Sequence, residues 1–271
     1  MWVLRGLRDG VVTTRWPGKT DNHAERLRGP AGVLDPAPSD AGGLPSLCPT
    51  GAISYSRGGG VQGLRIDQGR CVLCGRCVAA RPEVFGWTRG PRGAALSRQE
   101  LVVPRVTENG TNLTAVRADL RRRTRALRRS VHVRHVDAGS DGTEEWEVLA
   151  LLNPVYDVHR LGIFFTASPR HADVLLVTGA GARGMEAPLR RTYEAMPDPK
   201  IVIAAGTDAI SGGLVFGGAV GDAVAGGIGE IVPVDVWVPG SPPSPFSLLY
   251  GLLLGLGRIP GADGGDAGVT R

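Results

Sequence analysis

Val174-Leu175-Leu176-Val177-Thr178 and Ile201-Val202-Ile203-Ala204-Ala205 are two five-residue runs without a charged side chain. Runs of that length rich in β-branched residues read as strands, and unbroken apolarity means that both faces of each strand are covered. Between them, residues 187–196 carry helical spacing, which predicts a crossover helix. Working outward, 131–136 reads as a strand and 144–152 as a helix on the N-terminal side, and 231–238 reads as a last strand. Strands alternating with helices predict a parallel sheet with helices on both faces, and sites in such sheets form at the carboxyl ends of the strands.

Upstream of that alternation the pattern differs. Residues 113–129 predict a helix whose stripe is Leu113, Val116, Leu120, Thr124 and Leu127, with Arg117, Arg121, Arg122, Arg125, Arg128 and Arg129 around it. A solvated face linking two domains and a docking face for an acidic partner or lipid headgroups both fit it. Nothing resembling an aromatic stacking platform accompanies the arginines, so nucleic acid is not an expected partner. Before residue 95 the chain reads as a small unit with strands at 50–56 and 64–67, a short helix at 77–81, and Gly- and Pro-rich loops at 29–43 and 58–60.

The four cysteines all lie in this first unit. Cys71-Val72-Leu73-Cys74-Gly75-Arg76-Cys77 has the Cys-x2-Cys-x2-Cys spacing that brings three thiolates of one tight loop to three corners of a cubane, and Cys48-Pro49 supplies a remote fourth. The order resembles half of a two-cluster ferredoxin. Arg81-Pro82 stands where such proteins carry the cysteine for a second cluster, so one 4Fe-4S cluster and single-electron transfer are expected, at Cys48, Cys71, Cys74 and Cys77. A structural zinc on four thiolates is the alternative, which would make the chain a non-redox, zinc-stapled adaptor. Disulfides fit less well, because cysteines on one tight loop are poorly placed to pair.

Bulk properties permit a core in each half. The chain has 271 residues, a formal net charge of +5, 41 glycines, 20 prolines and only 5% aromatics. That composition suggests many loops, and the charge permits an acidic partner without demanding nucleic acid. Met1-Trp2-Val3-Leu4-Arg5 meets charge at once, unlike a secretory signal, and the apolar run 248–256 is too short to span a bilayer. The expectation is a cytoplasmic protein, peripheral on the cytoplasmic face of a membrane.

Long phrases in the second half carry a family resemblance: His132-Val-Arg-His135-Val-Asp137-Ala-Gly139-Ser140, Leu151-Leu-Asn153-Pro154-Val-Tyr156-Asp157, Ala167-Ser168-Pro169-Arg170-His171-Ala172-Asp173, Leu189-Arg190-Arg191-Thr-Tyr193-Glu-Ala-Met196-Pro197, and Val232-Pro233-Val234-Asp235-Val-Trp-Val238-Pro239-Gly240-Ser241-Pro242-Pro243. They resemble the small subunit of group 4 membrane-bound nickel-iron hydrogenases and the B-type subunit of respiratory complex I, also called NADH-quinone oxidoreductase. The first half, including Gly10-Val-Val-Thr13-Thr14-Arg15-Trp16-Pro17, is similar to the ferredoxin-type subunit of the same complexes. The resemblance implies a fusion of two neighbouring subunits: an N-terminal ferredoxin-like α+β cluster domain (1–95), a linker with the basic amphipathic helix (96–130), a flavodoxin-like parallel-sheet α/β domain (131–259), and a disordered tail (260–271). It also implies an oxidoreductase subunit that carries electrons rather than a self-sufficient enzyme, with no catalytic residue of its own. Its expected partners are a large hydrogenase-like or complex I-like subunit and membrane-arm subunits.

The family places four cysteines for its own cluster in the second domain, and at the matching positions this chain has Asp141, Glu144, Asp208 and Ser241. The resemblance therefore implies a degenerate former cluster site. Hard oxygen donors do not replace soft thiolates around a cubane. If the loops keep the family geometry, Asp141, Glu144 and Asp208 converge and raise one another's pKa unless a cation or an arginine sits between them, so a site for a hard divalent ion such as magnesium, calcium or manganese and a degenerate, water-filled pocket both fit. Gly179-Ala-Gly181-Ala-Arg-Gly184 has the form of a dinucleotide fingerprint, but Pro188 predicts that the helix starts only after the glycines, so a surface turn is expected instead. His132, His135, His159 and His171 read as structural, and Ser241 lacks a nucleophile elbow.

Overall fold

The computed structural model describes residues 2–56, 63–104, 113–125, 127, 130–216, 221–259 and 269–270. In chain order the elements are α1 (Trp2–Asp9), α2 (Asn22–Arg26), β1 (Arg28–Val33), β2 (Ile53–Ser56), β3 (Gly63–Asp67), α3 (Arg76–Ala80), β4 (Phe85–Arg89), β5 (Val102–Val103), α4 (Leu113–Thr124) and β6 (Val131–Asp137). They continue with α5 (Thr143–Ala150), β7 (Ile163–Phe165), β8 (Val174–Thr178), α6 (Glu186–Ala195), β9 (Ile201–Ala205), α7 (Thr207–Ser211), β10 (Val236–Val238) and α8 (Pro245–Gly255).

The two apolar runs are β8 and β9, with every residue of both buried. They lie inside a five-stranded parallel sheet of order β10-β9-β8-β6-β7. Numbered within this half alone, that order is the flavodoxin-like 2-1-3-4-5, read from the β7 edge, and its switch point lies between β6 and β8. On one face the sheet is covered by α8, in which all eleven residues but Ser247 are buried. Contact there is close enough to require glycine: a Cβ on Gly251 would sit 2.4 Å from a methyl of Val238.

The N-terminal half is built from two small antiparallel sheets, β1 with β4 and β2-β3-β5. Its core gathers Leu64, Ile66, Val84 and Phe85 with Cys71. The two halves are in intimate contact. Ala95 exchanges two 2.9 Å backbone hydrogen bonds with Trp237 at the β10 edge, and the Thr207 hydroxyl donates to the Cys71 carbonyl at 2.9 Å. Trp16 crosses over as well, buried in the core of the parallel-sheet half with its ring edge-on to Phe246.

Of the expected basic helix, 113–124 is helical; Leu120 and Thr124 are buried, Val116 packs partly against the sheet core, and Arg123 pairs with Asp119 and Asp235. Arg128 and Arg129 lie outside the described residues. Most of the tail expected to be disordered also lies outside them, but Thr270 is paired with Trp87 through two 2.9 Å backbone hydrogen bonds. Among the described residues no helix is long and apolar enough to cross a membrane.

Candidate functional site

The carboxyl ends of β6, β8 and β9 deliver three loops to one place. After β6, the Asp137 carboxylate accepts 2.8 Å bonds from the N–H groups of Gly139 and Ser140 and turns the chain toward α5. After β8, Gly179 adopts φ +82°, and a Cβ there would lie 2.6 Å from backbone atoms of Gly139 and Ser140. Only glycine lets the two loops touch, and this contact closes the switch-point crevice.

Under the contact lies a polar chain. Ser140 donates to Glu145 at 2.6 Å, and the buried Thr178 hydroxyl also donates to Glu145. With that proton committed, His135 Nε2, 3.0 Å away, is the donor to Thr178. Burial lowers the pKa of His135 despite the nearby charges of Glu145 and Asp137, consistent with a neutral imidazole. The histidine is thus a structural hydrogen-bonding residue.

Asp141, Glu144 and Asp208 come together at the same edge. Asp141 is exposed and its pKa is lowered, because it accepts bonds from the Thr143 hydroxyl at 2.6 Å and the Thr143 N–H at 3.0 Å. Glu144 is only 1% exposed, and its side chain lies against Gly206 at the end of β9. Desolvation, reinforced by the charges of Asp208 and Asp141, pushes its pKa up to about 7. Asp208 is raised as well, by burial and then by Asp141. Ser241 is half-buried, and its loop reaches the carboxylates through the 2.7 Å bond from the Thr207 N–H to the Gly240 carbonyl.

The four cysteines line one pocket together with Ala31, Ile53 and Ile66. Cys71 is buried, Cys48 and Cys77 are half-buried, and Cys74 is exposed. The Ala31 N–H points at the Cys71 sulfur at 3.4 Å and the Ala52 N–H at the Cys48 sulfur at 3.3 Å. Desolvation raises the Cys71 thiol, and pushes Cys77 up to about 11.

Lining one pocket and ligating one centre are different demands, since ligands must converge to bonding distance of a metal. Among the described residues no group of three or more His, Cys, Asp or Glu side chains is arranged to hold a metal ion. The expectation of a 4Fe-4S cluster at Cys48, Cys71, Cys74 and Cys77 is corrected by that finding, and with it the iron-sulfur, ferredoxin-type electron carriage derived from the cysteine spacing. The four-thiolate zinc of the alternative reading fails on the same ground, and the three carboxylates form no such group either. Spacing reported that the thiols share a loop; it carried no information on how far burial separates Cys71 from exposed Cys74.

The dinucleotide reading fails locally. Arg183–Met185 forms a 3-10 turn and α6 begins only at Glu186, so Gly179 and Gly181 do not open the helix. Gly179 serves loop packing instead.

A feature that the sequence did not disclose is an apolar surface on α5 and the turn after it. Trp146 is 73% exposed and Leu149 55%, and Leu152 and Val155 continue the same three-residue step. The N-terminal segment lies alongside, for Thr14 N–H donates to the Val155 carbonyl at 2.8 Å and the Thr13 hydroxyl to the Pro154 carbonyl at 2.7 Å. The signal was present as apolar residues on two sides of one helix; without the fold, either stripe could be the buried one.

A parallel-sheet domain with loops converging at its carboxyl edge, docked on a small cysteine-bearing unit, defines the class. Residues 142–254 match the family model described as NADH ubiquinone oxidoreductase, 20 Kd subunit. The chain is 40% identical to formate hydrogenlyase subunit 7 of Escherichia coli over 170 residues, spanning 63% of this chain and 62% of that relative. It is 41% identical to the probable membrane-bound hydrogenase subunit mbhJ of Pyrococcus furiosus over 131 residues, 48% of this chain and 77% of the relative. A solved archaeal respiratory membrane complex, the membrane-bound sulfane sulfur reductase, includes a chain with 29% identity, a TM-score of 0.42, and coverage of 51% of this chain and 77% of that one. The chain belongs to the NADH ubiquinone oxidoreductase 20 kDa subunit family.

Proposed function

We propose that this chain is a non-catalytic subunit of a hydrogenase-related or complex I-like membrane assembly, peripheral to the membrane, in which the parallel-sheet half docks a larger hydrogenase-like subunit. The observation that carries the reading is membership of a family whose relatives are named as subunits of formate hydrogenlyase and of a membrane-bound hydrogenase. The exposed side chains of Trp146, Leu149, Leu152 and Val155 support it, because several large apolar side chains left exposed on one short stretch are what a subunit covers on assembly. A scaffold role is in keeping with the residues at the carboxyl edge of the sheet, where Asp141, Glu144, Asp208 and Ser241 stand at the positions for which the resemblance implies cysteines.

The test is purification of the tagged full chain from solubilised membranes of its own cell, with native electrophoresis and mass spectrometry of the band. Co-migration with a large hydrogenase-like or complex I-like subunit, lost in Trp146→Glu with the free chain still folded, is the expected result. A chain that runs as a free monomer in the solubilised membrane and the soluble fraction alike overturns it.

A further inference from the structure

Helix α1 stands apart from the hydrophobic cores. Val3, Leu4 and Leu7 belong to none of them and are 53%, 68% and 76% exposed, and the chain leaving the helix adds Val11 and Val12 at 80% and 56%. At 3.6 residues per turn Val3, Leu7 and Leu4 share an arc of about 100°, and Arg8 and Arg5 come next around the helix. Gly10, at φ +66° with its N–H on the Gly6 carbonyl at 3.0 Å, ends the helix. Thr13 and Thr14 then bond to the Pro154 and Val155 carbonyls and Trp16 enters the core, so the segment is anchored just beyond α1.

A helix of eight residues is marginal in water unless its apolar face is packed, and among the described residues this face meets no core. The charge around it narrows what can cover it. Through Lys19 the chain carries the cations Arg5, Arg8, Arg15 and Lys19, all exposed, against the single carboxylate Asp9. Asp21, which follows, is taken up by the Thr14 hydroxyl and by the first N–H groups of α2. A second copy set on the same face by a twofold axis would bring these cations against their own counterparts. An anionic lipid surface accepts both parts at once, because the apolar side chains reach the acyl boundary while the guanidiniums meet phosphates.

We propose that α1, with Val11 and Val12, lies in the headgroup layer of an anionic membrane, its apolar side chains toward the acyl chains and Arg5 and Arg8 at the lipid phosphates. This surface is distinct from Trp146 and Leu149 on α5, which serve subunit docking. It rests on the peripheral membrane placement proposed above and names the part of the chain that meets the lipid.

Flotation of the purified full chain, free of partner subunits, with vesicles of phosphatidylcholine containing about a quarter phosphatidylglycerol, and with phosphatidylcholine alone, tests it at about 0.15 M salt. Binding to the anionic vesicles is expected to be roughly tenfold stronger than to the neutral ones, and roughly tenfold weaker in the double variant Leu4→Glu, Leu7→Glu. The pair Arg5→Gln, Arg8→Gln is expected to weaken binding to the anionic vesicles alone, and the pair Arg121→Gln, Arg122→Gln, on the exposed side of α4, to change neither. No binding to either vesicle, equal binding to both, or an equal loss in the α4 variant overturns the proposal. A dimer in sedimentation velocity that Leu7→Glu dissociates, without vesicle binding, also overturns it and gives the face to a second copy. Both leucines are exposed, so thermal melts of the variants are expected to match the parent, which separates lost binding from lost folding. With no partner subunit present, failure here leaves the co-migration test of the assembly standing, and failed co-migration leaves vesicle binding unaffected.

Discussion

Each half of this molecule buries ionisable groups of one kind, thiols in the N-terminal unit and carboxyls at the edge of the parallel sheet, and the two clusters meet through the Thr207–Cys71 bond. In both, burial raises the pKa, yet the consequences differ because the starting values differ. A thiol lifted from 9.0 to about 11, as at Cys77, is neutral at pH 7 in the folded and the unfolded chain alike, so its burial costs nothing electrostatic there. A carboxyl lifted from 4.5 to about 7, as at Glu144, titrates across the physiological range. The cysteine pocket is therefore electrostatically quiet near neutrality, and the carboxyl edge is held against a charge that it resists forming.

The sharpest way to break the carboxyl edge is to separate its loops. Gly179→Ala would place a Cβ 2.6 Å from the Gly139 and Ser140 backbone at a φ of +82°. Rigid backbone on both sides leaves no side chain to yield, so a loss of about 3 kcal/mol or more is expected. Denaturant melts give the value. A change below about 1 kcal/mol would show that the switch-point crevice is not closed as described.

The next effect is pH-dependent and isolates Glu144. Between pH 4.5 and 7 the unfolded chain has released this proton while the folded chain keeps it, so stability falls as pH rises through that window and the full penalty stands above it. A difference of 7 against 4.5 corresponds to on the order of 3 kcal/mol. Glu144→Gln is expected to raise stability at pH 8 by up to that amount and to change little at pH 4. Melts of both proteins across pH 4 to 9 check it, and parallel curves would sink the account.

The sheet was legible because its central strands are fully apolar. Both faces of β8 and β9 are covered, so the sequence has no polar register to blur their bounds, and 174–178 and 201–205 could be read directly. β7 has only three residues, and of the stretch read as the last strand, 231–238, only Val236–Val238 pairs. β1 was hidden for another reason. Arg-Gly-Pro-Ala-Gly-Val reads as a loop, and it is a strand because its glycines admit close neighbours: a Cβ on Gly32 would meet a methyl of Val269 at 2.5 Å. That is tertiary information. At the candidate site, the convergence of Asp141, Glu144 and Asp208 was inferable from the family resemblance of the phrases around those loops, whereas the Cys pocket, equally suggestive in spacing, misled because spacing is silent on burial.

A smaller effect tests the joint between the clusters. Thr207→Val keeps the shape of the side chain and removes the donor to the buried Cys71 carbonyl, leaving an acceptor without its partner. The cost expected is about 1–2 kcal/mol. Coupling of the halves predicts that the variant also speeds hydrogen exchange at Cys71 and its neighbours, while exchange in β6 and β8 stays slow. Equal acceleration in both regions would mean that the halves unfold as one unit and the bond is not a distinct joint.

The mildest perturbation reads the cysteine pocket directly, through the rate at which each thiol is alkylated by iodoacetamide at pH 8. The thiolate is the reacting species, so rate follows exposure and pKa together. Cys74 is exposed and reacts first. Cys77, with a pKa near 11 in place of 9.0, holds about a hundredfold less thiolate than an ordinary thiol, and Cys71 is both raised and buried. Peptide mapping is expected to find Cys74 labelled early and Cys71 and Cys77 labelled only in denaturant. Simultaneous labelling of all four would erase the difference between pocket and surface on which the contrast with the carboxyl edge rests, because a pocket whose thiols ionise alike would not be quiet near neutrality.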